Sequence, residues 1–191
     1  EESNIKWSKR MQEEGVNVIF GVEGLKIHSK LLYIESKKGN IACVGTGNFH
    51  EGNAKTYTDY LMMTARPKIV NEVAKVFDFI DRPFSPFRFN ELLVSPNSMK
   101  SRILRMIDTE IKNAGEGKEA WIKIKINHIT DTDMVQKLYQ ASKAGVKIDI
   151  VIRGNCSLVP GIKGLSDNIH CVGIIDRYLE HSRILIFANG G

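Results

Sequence analysis

Two spacings of apolar residues recur along this chain, and together they predict helices that alternate with strands. Between Lys68 and Ile80, apolar side chains return every three or four residues, which predicts an amphipathic helix. In Val146–Ile152, apolar residues instead recur at nearly every second position, which predicts a buried strand. The other predicted helices are 5–14, 98–114 and 131–144, and the other predicted strands are 16–20, 26–35, 41–44, 57–64, 121–126 and 183–187. Such alternation favours the α/β class.

The same order of elements occurs twice. Glu14–Val16 and Ala144–Val146 each carry a glycine between a helix and a predicted strand, and a glycine-containing loop follows. Each copy then enters another strand through a His-Ser-Lys/Arg tripeptide. A glycine between a helix and a strand is common in α/β proteins and alone is not specific, but the matched histidine motif favours a duplication. We therefore expect two related units, residues 1–88 and 89–191, joined near Pro83–Asn90.

Composition narrows the class of protein without fixing its function. The 191 residues are 42% hydrophobic and 26% charged, which is typical of a globular chain, and the net charge of +5 permits phosphate-rich partners. No apolar run reaches the roughly 18 residues of a transmembrane helix. Cys43, Cys156 and Cys171 lack metal-binding spacing, so we expect reduced, buried thiols in the cytoplasm. The final turn, Asn189–Gly191, predicts that the chain belongs to a longer polypeptide.

The two histidine motifs carry the candidate chemistry. In a strand, His28 and Lys30 point to the same face, as do His181 and Arg183, because side chains alternate along the backbone. Nearby cations keep an imidazole neutral and stabilise a phosphorylated form, so His28 is the predicted nucleophile. His181 would then protonate a leaving oxygen or donate a hydrogen bond to phosphate. Glu180 should point away from His181.

Other residues could complete a site for phosphate or nucleotide. Arg153 and Arg183 can bind anionic oxygens through two N–H groups at once. The loop Gly45–Asn48 could cradle phosphate with backbone N–H groups, although it is not a Walker loop. Tyr57 or Tyr60 could stack on a base. The remaining histidines, expected to be structural or on the surface, are His50, His128 and His170.

As a set, these motifs resemble the phospholipase D-like superfamily, whose members join two His-x-Lys half-sites. More closely, the chain resembles the carboxy-terminal half of bacterial polyphosphate kinases of type 1. The resemblance spans nearly the whole chain in the family's order. The matching stretches are Gly24–Leu31, Gly45–Phe49, Tyr57–Tyr60, Leu93–Pro96, Ala144–Asp149, Val151–Gly154 and Arg177–Arg183.

This resemblance implies an activity and a set of roles. The family moves the terminal phosphate of ATP onto polyphosphate, reversibly, through a phosphohistidine and with Mg²⁺. By matching motifs, His28 is the phosphorylated histidine, while Tyr57, Arg153 and His181 contact nucleotide, with help from the two cations Lys30 and Arg183. The family's magnesium-associated arginines lie outside this stretch, so no metal ligand is expected here.

The resemblance also implies a fold and a setting. We expect two phospholipase D-like α/β sandwich units with mixed sheets, both incomplete in this stretch. The full-length protein would bind ATP, ADP and polyphosphate, but no nucleic acid, and would form a homo-oligomer. It would lie in the cytoplasm or at the inner face of the inner membrane.

Two other functions stay open on the sequence. One is a phosphodiesterase or phosphatidyltransferase of the same superfamily, which would also use a covalent histidine. In such enzymes an aspartate lies five residues after the lysine; here Glu35 and Ala188 take those places, which favours the kinase. The other is a non-catalytic module that binds polyanions through its basic face.

Overall fold

The structure is a computed structural model that describes residues 2–191. Its helices are α1 (Glu2–Glu13), α2 (Glu51–Thr56), α3 (Pro67–Asp81), α4 (Met99–Gly115) and α5 (Thr132–Lys143). Its strands are β1 (Lys30–Ile34), β2 (Ile41–Gly45), β3 (Tyr57–Thr58), β4 (Leu61–Thr64), β5 (Trp121–Ile126), β6 (Lys147–Ile152), β7 (Ile169–Gly173), β8 (Leu179–Glu180) and β9 (Ile184–Phe187). The predicted α/β class is confirmed.

The first unit, α1–α3 with β1–β4, contains an antiparallel sheet in the order β1-β2-β4. Helix α3 packs on one face of this sheet, where Val70 and Val73 meet Ala42 in a small core. Pro67 opens the helix at a position where its missing N–H costs nothing. On the opposite face, Leu32 and Met63 are exposed. The first unit therefore buries only one side of its sheet well.

The second unit, α4 and α5 with β5–β9, contains a mixed sheet in the order β7-β6-β5-β9. Strands β5, β6 and β7 are parallel, while β9 runs antiparallel to β5. Buried side chains from the sheet and both helices form one large core around Ile122, Ile148, Ile150 and Leu138. On β5 and β6 apolar side chains alternate with charged ones, so the face that carries the isoleucines is buried in this core and the other face is more exposed.

A two-stranded parallel sheet joins the units directly. Tyr57 and Thr58 of β3 pair with Leu179 and Glu180 of β8. The N–H of Ser182 extends the ladder by donating to the carbonyl of Thr58, at 3.1 Å. This sheet brings the second histidine motif against the first unit.

A pair of charged side chains also clamps the connection between the units, which has no helix or strand from 82 to 98. The buried carboxylate of Glu72 accepts three consecutive backbone N–H bonds from 90–92, at 2.6–3.0 Å. Arg102 donates to three carbonyls within 89–92. Burial would raise the pKa of Glu72, but the three N–H donors outweigh it and hold that pKa below its ordinary value.

Several predicted elements differ from the observed ones. The predicted strand 16–20 is wrong: these residues form no helix or strand. Strand 26–35 begins only at Lys30, because its partner β2 is five residues long. The predicted strand 57–64 is two strands in different sheets, β3 and β4, separated by Asp59 and Tyr60.

Three short elements and the burial of two cysteines also differ from the predictions. The sequence did not predict β7, β8 or α2, which His50 caps by accepting the N–H of Gly52. All three cysteines are free, but the prediction that all are buried is wrong: Cys43 is buried, Cys171 half-buried and Cys156 exposed. Within residues 2–191, no helix combines the length and apolar character needed to cross a membrane.

Candidate functional site

His28 lies in an extended segment two residues before β1, on the exposed side of the first unit. Lys30 begins the strand; it is buried, and its Nζ donates to the carbonyl oxygen of His28 at 2.6 Å. The Lys30 ammonium lowers the pKa of His28 most, followed by burial and by the charges of Arg183, Lys26 and His181. His28 therefore stays neutral and nucleophilic at pH 7.

An open cleft of about 280 Å³ surrounds this imidazole. Ile27–Leu31 form one side, and Asn48 and Phe49 form the other. Phe49 is 62% exposed, so the cleft has an apolar rim beside a cationic floor. His28 is therefore open to solvent on this side of the chain.

His181 is buried at the junction of the units and is held by both. Its Nδ1 lies 2.8 Å from Oδ1 of Asp59, which comes from the first unit. Its Nε2 lies 3.4 Å from Nη2 of Arg183, and its ring meets Tyr57 edge-on with centroids 5.2 Å apart. A carboxylate at Nδ1 requires an N–H there, so in the neutral ring Nε2 is the acceptor.

The loop Gly45–Asn48 seats Asp59. The hydroxyl of Thr46 donates to Oδ1 of Asp59 at 2.8 Å and also accepts the N–H of Tyr60. A Cβ on Gly47 would lie 2.0 Å from the Asp59 carboxylate, so only glycine permits this approach. Phosphate binding by the same loop stays a prediction.

Asp59 is a candidate site residue that the sequence did not predict. It stands in the Tyr57–Tyr60 stretch, where only the tyrosines were expected to contribute, because they could stack on a base. No local pattern pairs it with His181, 122 residues away, because the pairing depends on the parallel contact between β3 and β8. Glu180, as predicted, points away, toward Lys125 and Thr58.

Cations from both units converge beside the histidines. Burial lowers the pKa of Arg183, and the charge of Arg153 lowers it further, while Asp59 raises it. Burial and Arg183 lower the pKa of Lys30 in the same way. Arg153 is held by Asn127, whose Oδ1 accepts its Nε–H at 3.0 Å. Like charges gathered around a single carboxylate make a crevice that favours an anion.

The structure thus brings together most of the predicted site. The charges of Lys30, Arg183 and His181 act on His28, and Arg153 acts on Arg183. Tyr57 lies against His181, whereas Tyr60 is 63% exposed. The other histidines have local contacts: His50 with Gly52, His128 with the N–H of Asn155, and His170 with Asp149.

The donor set does not suit a metal ion held by this part of the chain. Residues 2–191 contain no group of three or more His, Cys, Asp or Glu side chains placed to bind a metal. Asp59, the carboxylate in the crevice, is already bonded to His181 and Thr46. Mg²⁺ favours free carboxylates and phosphate oxygens, so no step of the chemistry is assigned to it here.

A two-unit α/β protein with a neutral imidazole in a cationic crevice fits phosphoryl chemistry, and family profiles agree. Polyphosphate kinase C-terminal domain 1 matches residues 1–86, and Polyphosphate kinase C-terminal domain 2 matches residues 92–191. The chain belongs to the polyphosphate kinase family.

Individual relatives support this assignment along the whole chain. It is 52% identical to the polyphosphate kinase of Vibrio parahaemolyticus and 48% identical to that of Escherichia coli K12. In both comparisons the whole chain is covered, but only 28% of the relative. The crystal structure of polyphosphate kinase from Porphyromonas gingivalis superposes with a TM-score of 0.88 at 39% identity, over 100% of this chain and 32% of that one.

Proposed function

We propose that a full-length enzyme carrying this sequence transfers the terminal phosphoryl group of ATP to polyphosphate through a phosphohistidine at His28. The observation that carries the proposal is the convergence at the junction. A nucleophile from the first unit meets cations and an oriented histidine from the second. The proposed substrates follow from the relatives, which are named polyphosphate kinases.

In the first step, the unprotonated ring nitrogen of His28 forms a bond to the γ-phosphorus. The bond between that phosphorus and the bridging oxygen breaks, and ADP leaves with the electron pair. Lys30, Arg153 and Arg183 bind the anionic oxygens and stabilise charge that accumulates during transfer. Tyr57 braces the nucleotide beside His181.

In the second step, a terminal oxygen of polyphosphate attacks the same phosphorus. The N–P bond breaks, which restores neutral His28 and lengthens the polymer by one phosphate. His181, once protonated, would donate its Nε2–H to the leaving oxygen of ADP in the first step and to the phosphoryl group in the second, while Asp59 stabilises the imidazolium. The reverse order of steps makes ATP from polyphosphate.

The proposal extends to the setting of the full-length enzyme. Mg²⁺ would arrive with ATP or bind residues outside this stretch. The three free cysteines are compatible with a reducing compartment, so we place the enzyme in the cytoplasm or at the inner membrane. We also propose that the full-length enzyme forms a homo-oligomer and does not bind nucleic acid.

Labelling with [γ-³²P]ATP tests the covalent step. The full-length enzyme should acquire acid-labile, alkali-stable label that moves into polyphosphate, and His28→Ala should acquire none. The matched control is His170→Ala, which removes an exposed imidazole from β7 and should label normally. Label that persists on His28→Ala would overturn the assignment. Diester cleavage without ATP-dependent polymer would overturn the kinase function.

A further inference from the structure

Lys125, the second-last residue of β5, binds both sequence neighbours of His181. Its Nζ lies 2.9 Å from Oε2 of Glu180 and 2.5 Å from Oγ of Ser182. The side chains of Lys125 and Glu180 are only 24% and 19% exposed, and Ser182 is fully buried. Such a shielded pair is screened less than a surface ion pair.

The same contact reaches the first unit. Glu180 Oε2 also accepts the hydroxyl of Thr58 at 2.9 Å, and the carbonyl of Thr58 accepts the N–H of Ser182. Thr58 precedes Asp59 just as Glu180 precedes His181. Lys125 therefore holds Glu180 and Ser182, which flank His181. Through Glu180 it also holds Thr58, which precedes Asp59.

Because side chains alternate along an extended backbone, holding the neighbours of His181 also sets the direction of its ring. In extended backbone, residues on either side of a given residue point to the face opposite its own. Holding Glu180 and Ser182 toward Lys125 turns His181 the other way, toward Asp59 and the cationic crevice. We propose that Lys125 is a positioning residue for His181, an inference that rests on the proposed phosphoryl transfer.

Removing the ammonium has a defined consequence. Lys125→Met leaves the Glu180 carboxylate without its cation and the Ser182 hydroxyl without its donor. The hydrogen bond from Lys125 is the main cause that lowers the pKa of Glu180, so this pKa rises in the variant. The backbone around His181 loses an anchor, and a displacement of about 1 Å at a reacting group can cost about a hundredfold in rate.

Steady-state kinetics of the full-length enzyme test the inference. We expect Lys125→Met to lower kcat by about ten- to a hundredfold, with KM for ATP changed by less than about threefold. Lys125→Arg should recover most of the loss, because a guanidinium can still bind Glu180.

Lys123→Met is the matched control. Lys123 lies on the same strand and face, but it sits over the ring of Trp121 instead of reaching β8. This variant should keep kcat within about twofold. Equal kinetics for the two methionine variants would overturn the inference. The inference would also be overturned if Lys125→Met and Lys125→Arg lost the same amount of thermal stability and the same amount of rate. That result would indicate a structural role only.

A spectroscopic readout separates this inference from the proposed function. In enzyme with ¹⁵N-labelled histidine, the two-bond ¹H–¹⁵N spectrum reports whether His181 carries its proton on Nδ1. Lys125→Met should mix the tautomers, and Lys123→Met should not. An enzyme that shows this change but forms no phosphohistidine would contradict the proposed function alone. Unchanged tautomers in an active Lys125→Met enzyme would contradict the positioning role alone.

Discussion

The two units contribute different histidines to the candidate site, one buried and one exposed, and this difference follows from how each unit is packed. The second unit packs α4 and α5 against its sheet and carries His181, which is buried at the junction and hydrogen-bonded to Asp59 of the first unit. The first unit has a small core, an exposed sheet face and a nucleophile that lies in solvent-accessible extended chain. The comparison teaches that the well-packed unit supplies the buried histidine, while the open unit supplies the accessible one together with the carboxylate that orients its partner.

The largest expected difference between the units is in core stability. Ile148, at the centre of β6, is fully buried in the large core. Ile148→Ala should lower the free energy of unfolding by about 2–5 kcal/mol, because it removes apolar contacts and leaves a cavity. Val73→Ala, in the small core, should cost about 1–2 kcal/mol, from the loss of two methyl groups. Urea unfolding of the chain measures both, and an equal or larger cost at Val73 would contradict the comparison.

The clamp between the units should show a smaller effect with a pH signature. Glu72→Gln weakens three charge-assisted bonds to the backbone of 90–92 and should cost about 2 kcal/mol at pH 7. Because folding lowers the pKa of Glu72, its stabilisation is present above the ordinary glutamate pKa of about 4.3 and disappears as pH falls through the lowered value.

Unfolding measured from pH 7 to pH 3 tests that sign. The parent chain should lose more stability over this range than Glu72→Gln. Glu91→Gln is the control, since only the backbone of Glu91 joins the clamp. A variant at position 72 with the same pH slope as the parent would show that the carboxylate does not act as described.

The smallest predicted change is in the titration of the exposed nucleophile. Lys30 is the main cause of the lowered pKa of His28, so Lys30→Met should move the acid limb of His28 phosphorylation to higher pH. Lys38→Met, which alters an exposed lysine in the turn between β1 and β2, should leave that limb in place. Single-turnover labelling across pH 5–8 measures the midpoint. A shift to lower pH in Lys30→Met would contradict the electrostatic role.

The sequence predicted the second unit better than the first, for a physical reason. Apolar runs and helix caps such as Asp131 are local, and in the second unit tertiary contacts agree with them. In the first unit, strand 16–20 has the right composition, but strands need hydrogen-bonded neighbours, and none of the described residues supplies one. The strand start at Lys30 likewise depends on the length of β2 and not on local pattern.

The sequence predicted the residue types of the candidate site but not the hydrogen bonds that connect them. The paired motifs identified His28, Lys30, His181 and Arg183 because their spacing is short. The orienting carboxylate was not identified, since Asp59 meets His181 only through the β3–β8 contact between units. Lys125 was missed for the same reason: its partners lie 55 and 57 residues further along the chain.

The central claim is that two half-sites from different units act as one, and a double-mutant cycle between Asp59 and His181 tests it most directly. Polyphosphate synthesis is measured for the full-length enzyme, for Asp59→Asn, for His181→Gln and for the double variant. If the two residues act through their shared hydrogen bond, the double variant should be about as slow as the slower single variant. If the two losses in rate multiply, the units contribute independently and the claim of a shared site is contradicted.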